Sequence, residues 1–251
     1  EAKQMAAIDD LRDFNLQDAE TTLWIFRKST TGDLTIRGKW VETTEQLDIE
    51  LKGIVQNGID RIEEVLEYGL LAQNNEGSAL SIPADETMVN LITAAADAAV
   101  AANKITDVKK LQNAPFYAIK LVHDDTAIYA VRRTGSSWKT RKARDWMSVV
   151  FADDRLAVDH SAGFEIAKNI DFFVVGDTLL IADKGGFESI LNYKEAHRDD
   201  FTALQGEQAF LDIVADIAPF LPSSVKTRSN CVAFARYARK VTTPTHSLWT
   251  T

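Results

Sequence analysis

Branched and aromatic residues recur along the chain in short runs that are separated by turn-forming residues. Such runs are typical of β-strands, and the residues between them favour tight turns. Because the runs come in closely spaced pairs, the pattern predicts successive hairpins. The predicted pairs are 22–26 with 34–41, 116–122 with 126–131, 146–151 with 156–158, and 170–175 with 178–181.

Helical patterns lie on both sides of this strand-rich middle. After Thr44, apolar residues recur at helical spacing to about Asn57, with acids in the first turn as at a helix start. An alanine-rich run predicts a helix over residues 87–103. A short amphipathic stretch covers residues 5–14, no state is assigned to 61–85, and later helices are predicted over 186–193, over 207–220 and near Asn230.

This layout predicts an α+β fold with a central antiparallel sheet of successive hairpins and flanking helices. We divide the chain into an acidic N-terminal α/β region, residues 1–110, and a strand-rich core followed by C-terminal helices, residues 111–251. One continuous domain is the alternative, because 251 residues can bury a core in either arrangement.

Charge is distributed unevenly along the chain. The net charge is −9, and the first 110 residues carry all of it, since they hold 11 Lys and Arg against 20 Asp and Glu. The remaining residues are neutral overall, with 17 of each sign. A chain this acidic is not coated in positive charge for wrapping nucleic acid, so any DNA contact must be local.

One local concentration of positive charge stands out, and we name residues 132–144 the basic segment. It contains six cations and a tryptophan, and no acid lies between Thr126 and Arg144: Arg132, Arg133, Trp138, Lys139, Arg141, Lys142 and Arg144. Such a segment can follow a phosphate backbone, with Trp138 stacking on an unpaired base. The alternative is a solvated loop whose cations offset the acidic N-terminal region, across a subunit interface or within one chain.

The sequence contains no recognisable catalytic motif, so we expect a protein without enzymatic activity, cofactor, metal or small-molecule substrate. Acid pairs occur at 124–125, 153–154 and 199–200, and a divergent metal-dependent nuclease is the enzymatic alternative. Two of these pairs fall in predicted hairpin turns, where aspartate is favoured. The acid-x-Lys triplets at 50–52 and 107–109, which such a nuclease would place on a strand, are both assigned to helices.

Other metal or membrane chemistry finds little support in the sequence. The single cysteine, Cys231, excludes an internal disulfide and a Cys-rich zinc site, and the four histidines show no ligand spacing. No stretch is long and apolar enough to span a membrane, and no signal peptide is recognised. We therefore expect a cytoplasmic protein.

Residues 116–193 resemble the KwaB family of the bacterial Kiwa anti-phage system, and the N-terminal hairpin and helix are compatible with it. The likeness lies in Ala130-Val-Arg-Arg133 with the basic stretch after it, in Ile170-Asp-Phe-Phe-Val-Val175 with Gly-Asp-Thr-Leu-Leu-Ile181, and in Gly185-Gly-Phe-Glu-Ser-Ile-Leu-Asn-Tyr193. The resemblance implies a non-enzymatic defence protein that binds DNA beside a small membrane-embedded partner, KwaA. We accordingly expect a homodimer that works at the inner membrane through this partner.

The resemblance fails at the C-terminus. From Arg239 onward the sequence departs from the family's basic helix and its Gly-x-Tyr and Asp-Pro stretch. We hypothesise a frameshift or truncation of the gene near residue 230, since a shifted reading frame can encode the expected continuation. Two readings other than DNA binding stay open for the protein as a whole: a protein-interaction or scaffold module, and the divergent nuclease.

Overall fold

The computed structural model describes residues 2–29, 34–69, 72, 74–135, 149–152, 155–158 and 166–193. Within these residues there are four α-helices: α1 Ala2–Asp13, α2 Glu45–Asp60, α3 Asn90–Ala95 and α4 Lys184–Ile190. The same residues form ten strands: β1 Glu20–Ser29, β2 Thr35–Val41, β3 Glu64–Glu67, β4 Ser78–Pro83, β5 Phe116–His123, β6 Thr126–Arg133, β7 Val149–Ala152, β8 Arg155–Val158, β9 Phe172–Val175 and β10 Thr178–Ile181.

Eight of these strands form one mixed sheet in the order β2-β1-β5-β6-β9-β10-β4-β3. All neighbours are antiparallel except β3 and β4, which are parallel. Strands from the first 110 residues occupy both edges of the sheet, and the later strands fill its centre. The acidic region and the strand-rich core therefore contribute to a single sheet.

Helices cover both faces of the sheet. Alternate residues of each strand point to opposite faces, so Leu23 and Ile25 of β1 join one core while Trp24 and Phe26 join the other. The first core includes buried residues of α1 and α2, and the second includes buried residues of α3 and α4. The result is an α+β fold in which the predicted sheet is buried on both sides.

The predicted hairpins are confirmed, with one refinement. Strands β1 and β2, β5 and β6, and β9 and β10 pair as the alternation predicts. Strands β7 and β8 also pair, but they form a separate two-stranded sheet. The predicted helices at 207–220 and near Asn230, and the tail from Arg239, lie outside the described residues.

Helix α2 begins where the sequence indicates. Thr44 is its N-cap, and the Thr44 hydroxyl accepts a hydrogen bond from the amide of Leu47 at 3.4 Å. Glu45 and Asp48 lie in the first turn, where carboxylates interact favourably with the helix dipole. The helix continues to Asp60, three residues beyond the predicted end.

The helix predicted over residues 87–103 is wrong in its length, because α3 ends at Ala95. The Lys120 ammonium donates hydrogen bonds to the carbonyl oxygens of Ala96 and Asp97 at 2.8 and 2.7 Å. Farther along, the amide of Ile105 donates to the carbonyl of Trp40 at 2.7 Å, which draws the chain to the edge of β2. These long-range contacts override the helix propensity of the alanines.

We predict that Gly38→Ala and Gly53→Ala change stability in opposite directions. A Cβ atom at Gly38 would lie 2.3 Å from the carbonyl oxygen of Ala95, so the variant must separate β2 from α3. We expect its free energy of unfolding to fall by about 1–3 kcal/mol.

Gly53 is the matched control, since it lies inside α2 with nothing within 4 Å of the added Cβ. There we expect a gain of about 0.5–1 kcal/mol from helix propensity. Urea unfolding of both variants measures the two effects. Equal effects of the two substitutions would contradict the packing described for Gly38.

Candidate nucleic-acid interface

The basic segment leaves the sheet at the end of β6. Arg132 and Arg133 are the last two residues of this strand, and the amide of Thr134 donates to the carbonyl of Pro115 at 3.0 Å. The segment therefore starts beside the first residue of β5, near the centre of the sheet. Of the seven residues predicted to bind nucleic acid, Arg132 and Arg133 are described, whereas Trp138, Lys139, Arg141, Lys142 and Arg144 lie outside the described residues.

A buried carboxylate meets the two described arginines. Asp171 precedes β9 and is fully buried, with 0% of its surface exposed. Its carboxylate forms an ion pair with the Arg132 guanidinium and accepts a hydrogen bond from the Arg133 amide at 2.7 Å. Its backbone is fixed as well, because its amide donates to the carbonyl of Val131 at 2.9 Å and its carbonyl accepts from the amides of Ala182 and Asp183.

A second acid completes the group that we name the Asp171 cluster: Arg132, Arg133, Asp171 and Asp183. The Arg133 guanidinium donates to the Asp183 carboxylate at 2.8 Å, and its Nε lies 3.9 Å from the Asp171 carboxylate. Asp183 is also the N-cap of α4, since its other carboxylate oxygen accepts from the Gly186 amide at 2.9 Å. The cluster thus ties the end of β6 to β9 and to the start of α4.

Gly186 makes room for the buried carboxylate. A Cβ atom at this position would lie 2.2 Å from Cγ of Asp171 and within 2.5 Å of both carboxylate oxygens. Any other residue would displace the carboxylate or the first turn of α4. The second glycine of Gly185-Gly186 is therefore required by close approach of Asp171 to the helix backbone.

Burial and charge act in opposite directions on the cluster. Burial raises the pKa of Asp171 above its ordinary value, and the Arg133 amide and the charge of Arg132 only partly offset this effect. Burial also raises the pKa of the neighbouring Tyr117, whose hydroxyl donates to the carbonyl of Ala167 at 3.3 Å. Asp171 is therefore a carboxylate with little access to water that relies on arginine for compensation.

The two arginines differ in their access to solvent. The Arg132 side chain is 14% exposed and the Arg133 side chain is 40% exposed. A cation that is enclosed among protein groups and faces a carboxylate has little free charge to offer a ligand. Both arginines therefore act first as internal partners of acids, and Arg133 alone of the two presents much surface.

The residues considered for a nuclease site are not brought together. Asp124 and Asp125 form the turn between β5 and β6, with φ of 46° and 63°, as in a tight hairpin turn. They lie at the opposite end of β6 from Asp171, roughly 20 Å away along the strand. The triplet at 50–52 lies on α2, the triplet at 107–109 reaches a 3-10 turn at Val108–Lys110, and the acid pairs at 153–154 and 199–200 lie outside the described residues.

No group of three or more His, Cys, Asp or Glu that could hold a metal ion is found among the described residues. In the same part of the chain, no helix has the length and apolar character needed to cross a membrane.

Sequence reasoning found the arginines but missed their internal partners. The available signal was the aspartate in Ile170-Asp-Phe-Phe-Val-Val175, because an acid next to a run of buried apolar residues needs a compensating partner. The second signal was Gly185-Gly186 directly after Asp183. Neither signal shows which cation is the partner, since the two arginines lie almost forty residues earlier in the chain.

We predict that Asp171→Ala lowers the free energy of unfolding at neutral pH by about 3 kcal/mol, because it leaves buried donors of both arginines unpaired. Asp171→Asn should cost less, since its amide oxygen still accepts a hydrogen bond and it carries no buried charge. Urea unfolding of wild type and both variants measures these costs. Equal costs for the two variants would contradict this account of the buried carboxylate.

The Asn variant also yields a prediction about pH. Because the pKa of Asp171 is raised in the folded protein, folding favours its protonated form, so this group stabilises most below the ordinary value of 3.8 and loses that contribution as pH rises through the folded pKa. The stability of wild type relative to Asp171→Asn should thus increase on acidification from neutral pH. A decrease over the same window would show that the arginines outweigh burial.

A model of the family described as Kiwa protein KwaB-like matches residues 111–236, half of the chain, and confirms the resemblance. No curated protein and no solved structure matches the chain. The matched residues include the whole basic segment together with Asp171, Asp183 and Gly186. The chain belongs to the KwaB-like family and is thereby associated with Kiwa anti-phage defence.

Proposed function

We propose that this protein is a non-enzymatic anti-phage effector that binds DNA through its basic segment and acts with a membrane-embedded partner of the KwaA type. The observation that carries the DNA-binding proposal is the acid-free run from Thr126 to Arg144, with six cations in its last thirteen residues. In a chain of net charge −9 this run provides a local site for phosphates. Membership of the KwaB-like family supports the defence role and the type of partner.

The position of the segment supports the same proposal. It follows β6, one of the central strands of the sheet, so it starts from a rigid support. Binding residues placed on loops that a rigid scaffold positions are a common arrangement in proteins. Trp138 adds an aromatic surface on which a base of single-stranded DNA can stack, at roughly 1–3 kcal/mol per base.

The acidic N-terminal region favours the same division of labour. Its net charge of −9 repels a phosphate backbone, so DNA should approach from the side of the basic segment. The acidic surface is then left for protein contacts, either with the membrane-embedded partner or with a second copy in a homodimer. We propose the homodimer on the resemblance alone.

We predict that Arg141→Glu/Lys142→Glu/Arg144→Glu abolishes salt-sensitive DNA binding by the wild-type chain. A matched control is Arg37→Glu/Lys39→Glu/Lys109→Glu, which makes the same change in net charge at three exposed cations elsewhere. Labelled double- and single-stranded DNA should be titrated with all three proteins at two salt concentrations, with magnesium present. Contacts to several phosphates predict a steep loss of wild-type affinity at the higher salt concentration.

The same titrations separate the alternatives. If wild type and control bind equally and the triple variant does not, the basic segment is the contact. If the control loses binding as much as the triple variant, net charge alone decides and the segment has no special role. Absence of wild-type binding favours the protein-interaction module, and cleavage of the DNA in magnesium favours the nuclease.

A further inference from the structure

We infer that Arg132 and Arg133 are positioning residues rather than phosphate contacts, because Asp171 and Asp183 hold them as the anchor from which the basic segment leaves the sheet. This inference rests on the proposed function and divides the basic segment into two parts. Two cations fix the start of the segment. The other cations, Lys139, Arg141, Lys142 and Arg144, are left to neutralise DNA.

Charge balance within the cluster supports this division. Two arginines face two aspartates, so the cluster carries no net charge at neutral pH when all four groups are ionised. Phosphate binding releases counter-ions only where a protein cation is available to replace them. A phosphate that took either arginine would leave Asp171, which is completely buried, with one compensating cation fewer.

The geometry of Arg133 favours an anchor as well. Its guanidinium reaches Asp183 at 2.8 Å with Nη2 and approaches Asp171 at 3.9 Å with Nε, while its amide donates to Asp171 at 2.7 Å. One residue therefore joins two carboxylates that belong to different elements. The planar fork of arginine suits this bridge, whereas the single ammonium group of lysine does not.

The chain is also held on the other side of Arg133. The amide of Thr134 donates to the carbonyl of Pro115, and the Thr134 hydroxyl donates to the carbonyl of Ala114. The start of the segment is thus bonded to the approach to β5 on one side and to the Asp171 cluster on the other. These contacts set the direction in which the chain leaves the sheet.

The test compares Arg133 with Arg141, each replaced by Gln and by Lys in the full chain. For each protein the affinity for double-stranded DNA is measured over a series of salt concentrations. A phosphate contact that loses its charge reduces the slope of log affinity against log salt by about 0.9, and lysine can replace it. An anchor leaves the slope unchanged, and lysine cannot replace it.

We therefore expect Arg141→Gln to reduce the slope by about 0.9 and Arg141→Lys to preserve it. Arg133→Gln and Arg133→Lys should both keep the wild-type slope and share the same loss of affinity. A slope reduced by about 0.9 in Arg133→Gln and restored in Arg133→Lys would overturn the inference, because Arg133 would then neutralise a phosphate.

Hydrogen exchange without DNA tests the anchor independently of DNA binding. In both Arg133 variants, amides of residues 131–134 and 182–186 should exchange roughly tenfold faster than in wild type, while those of β1 stay unchanged. Unchanged exchange at 131–134 would overturn the inference even if DNA binds. If the wild type binds no DNA, the proposed function fails, and the exchange experiment still decides whether Arg133 is an anchor.

Discussion

A carboxylate enclosed in protein must be compensated, and in this molecule that requirement falls on Asp171. It has no exposed surface, and it receives the Arg132 guanidinium and the Arg133 amide. Because Asp183 joins the same arginines and caps α4, the end of β6, the start of β9 and the first turn of α4 form one unit. Gly186 is part of this unit, since a larger residue would occupy the space of the carboxylate.

The sequence predicted most of the elements that alternation or capping specifies. The hairpins around β5 with β6 and around β9 with β10 follow from period-two patterns and short turns, and Thr44 marks the start of α2. The parallel pairing of β3 with β4 and the early end of α3 were not predicted. Both depend on contacts between residues distant in the chain, such as Lys120 with Ala96 and Asp97, which local periodicity does not contain.

The candidate site shows the same contrast. Counting charges locates the basic segment, because an acid-free run is visible in the sequence itself. Counting charges does not show that Arg132 and Arg133 already face two carboxylates, since that pairing arises only when β6 and β9 become neighbours. A cation is available to a phosphate only if the fold leaves it unpaired. The family match places both the segment and its acidic partners within the KwaB-like residues.

Photo-cross-linking of the full chain to DNA, followed by peptide mapping, tests the central claim most directly, because it reports where the DNA lies without altering the protein. The account predicts cross-links in peptides that carry residues 134–144, with Trp138 labelled most strongly by single-stranded DNA. Cross-links confined to the acidic first 110 residues, or none at DNA concentrations that saturate binding, would contradict it.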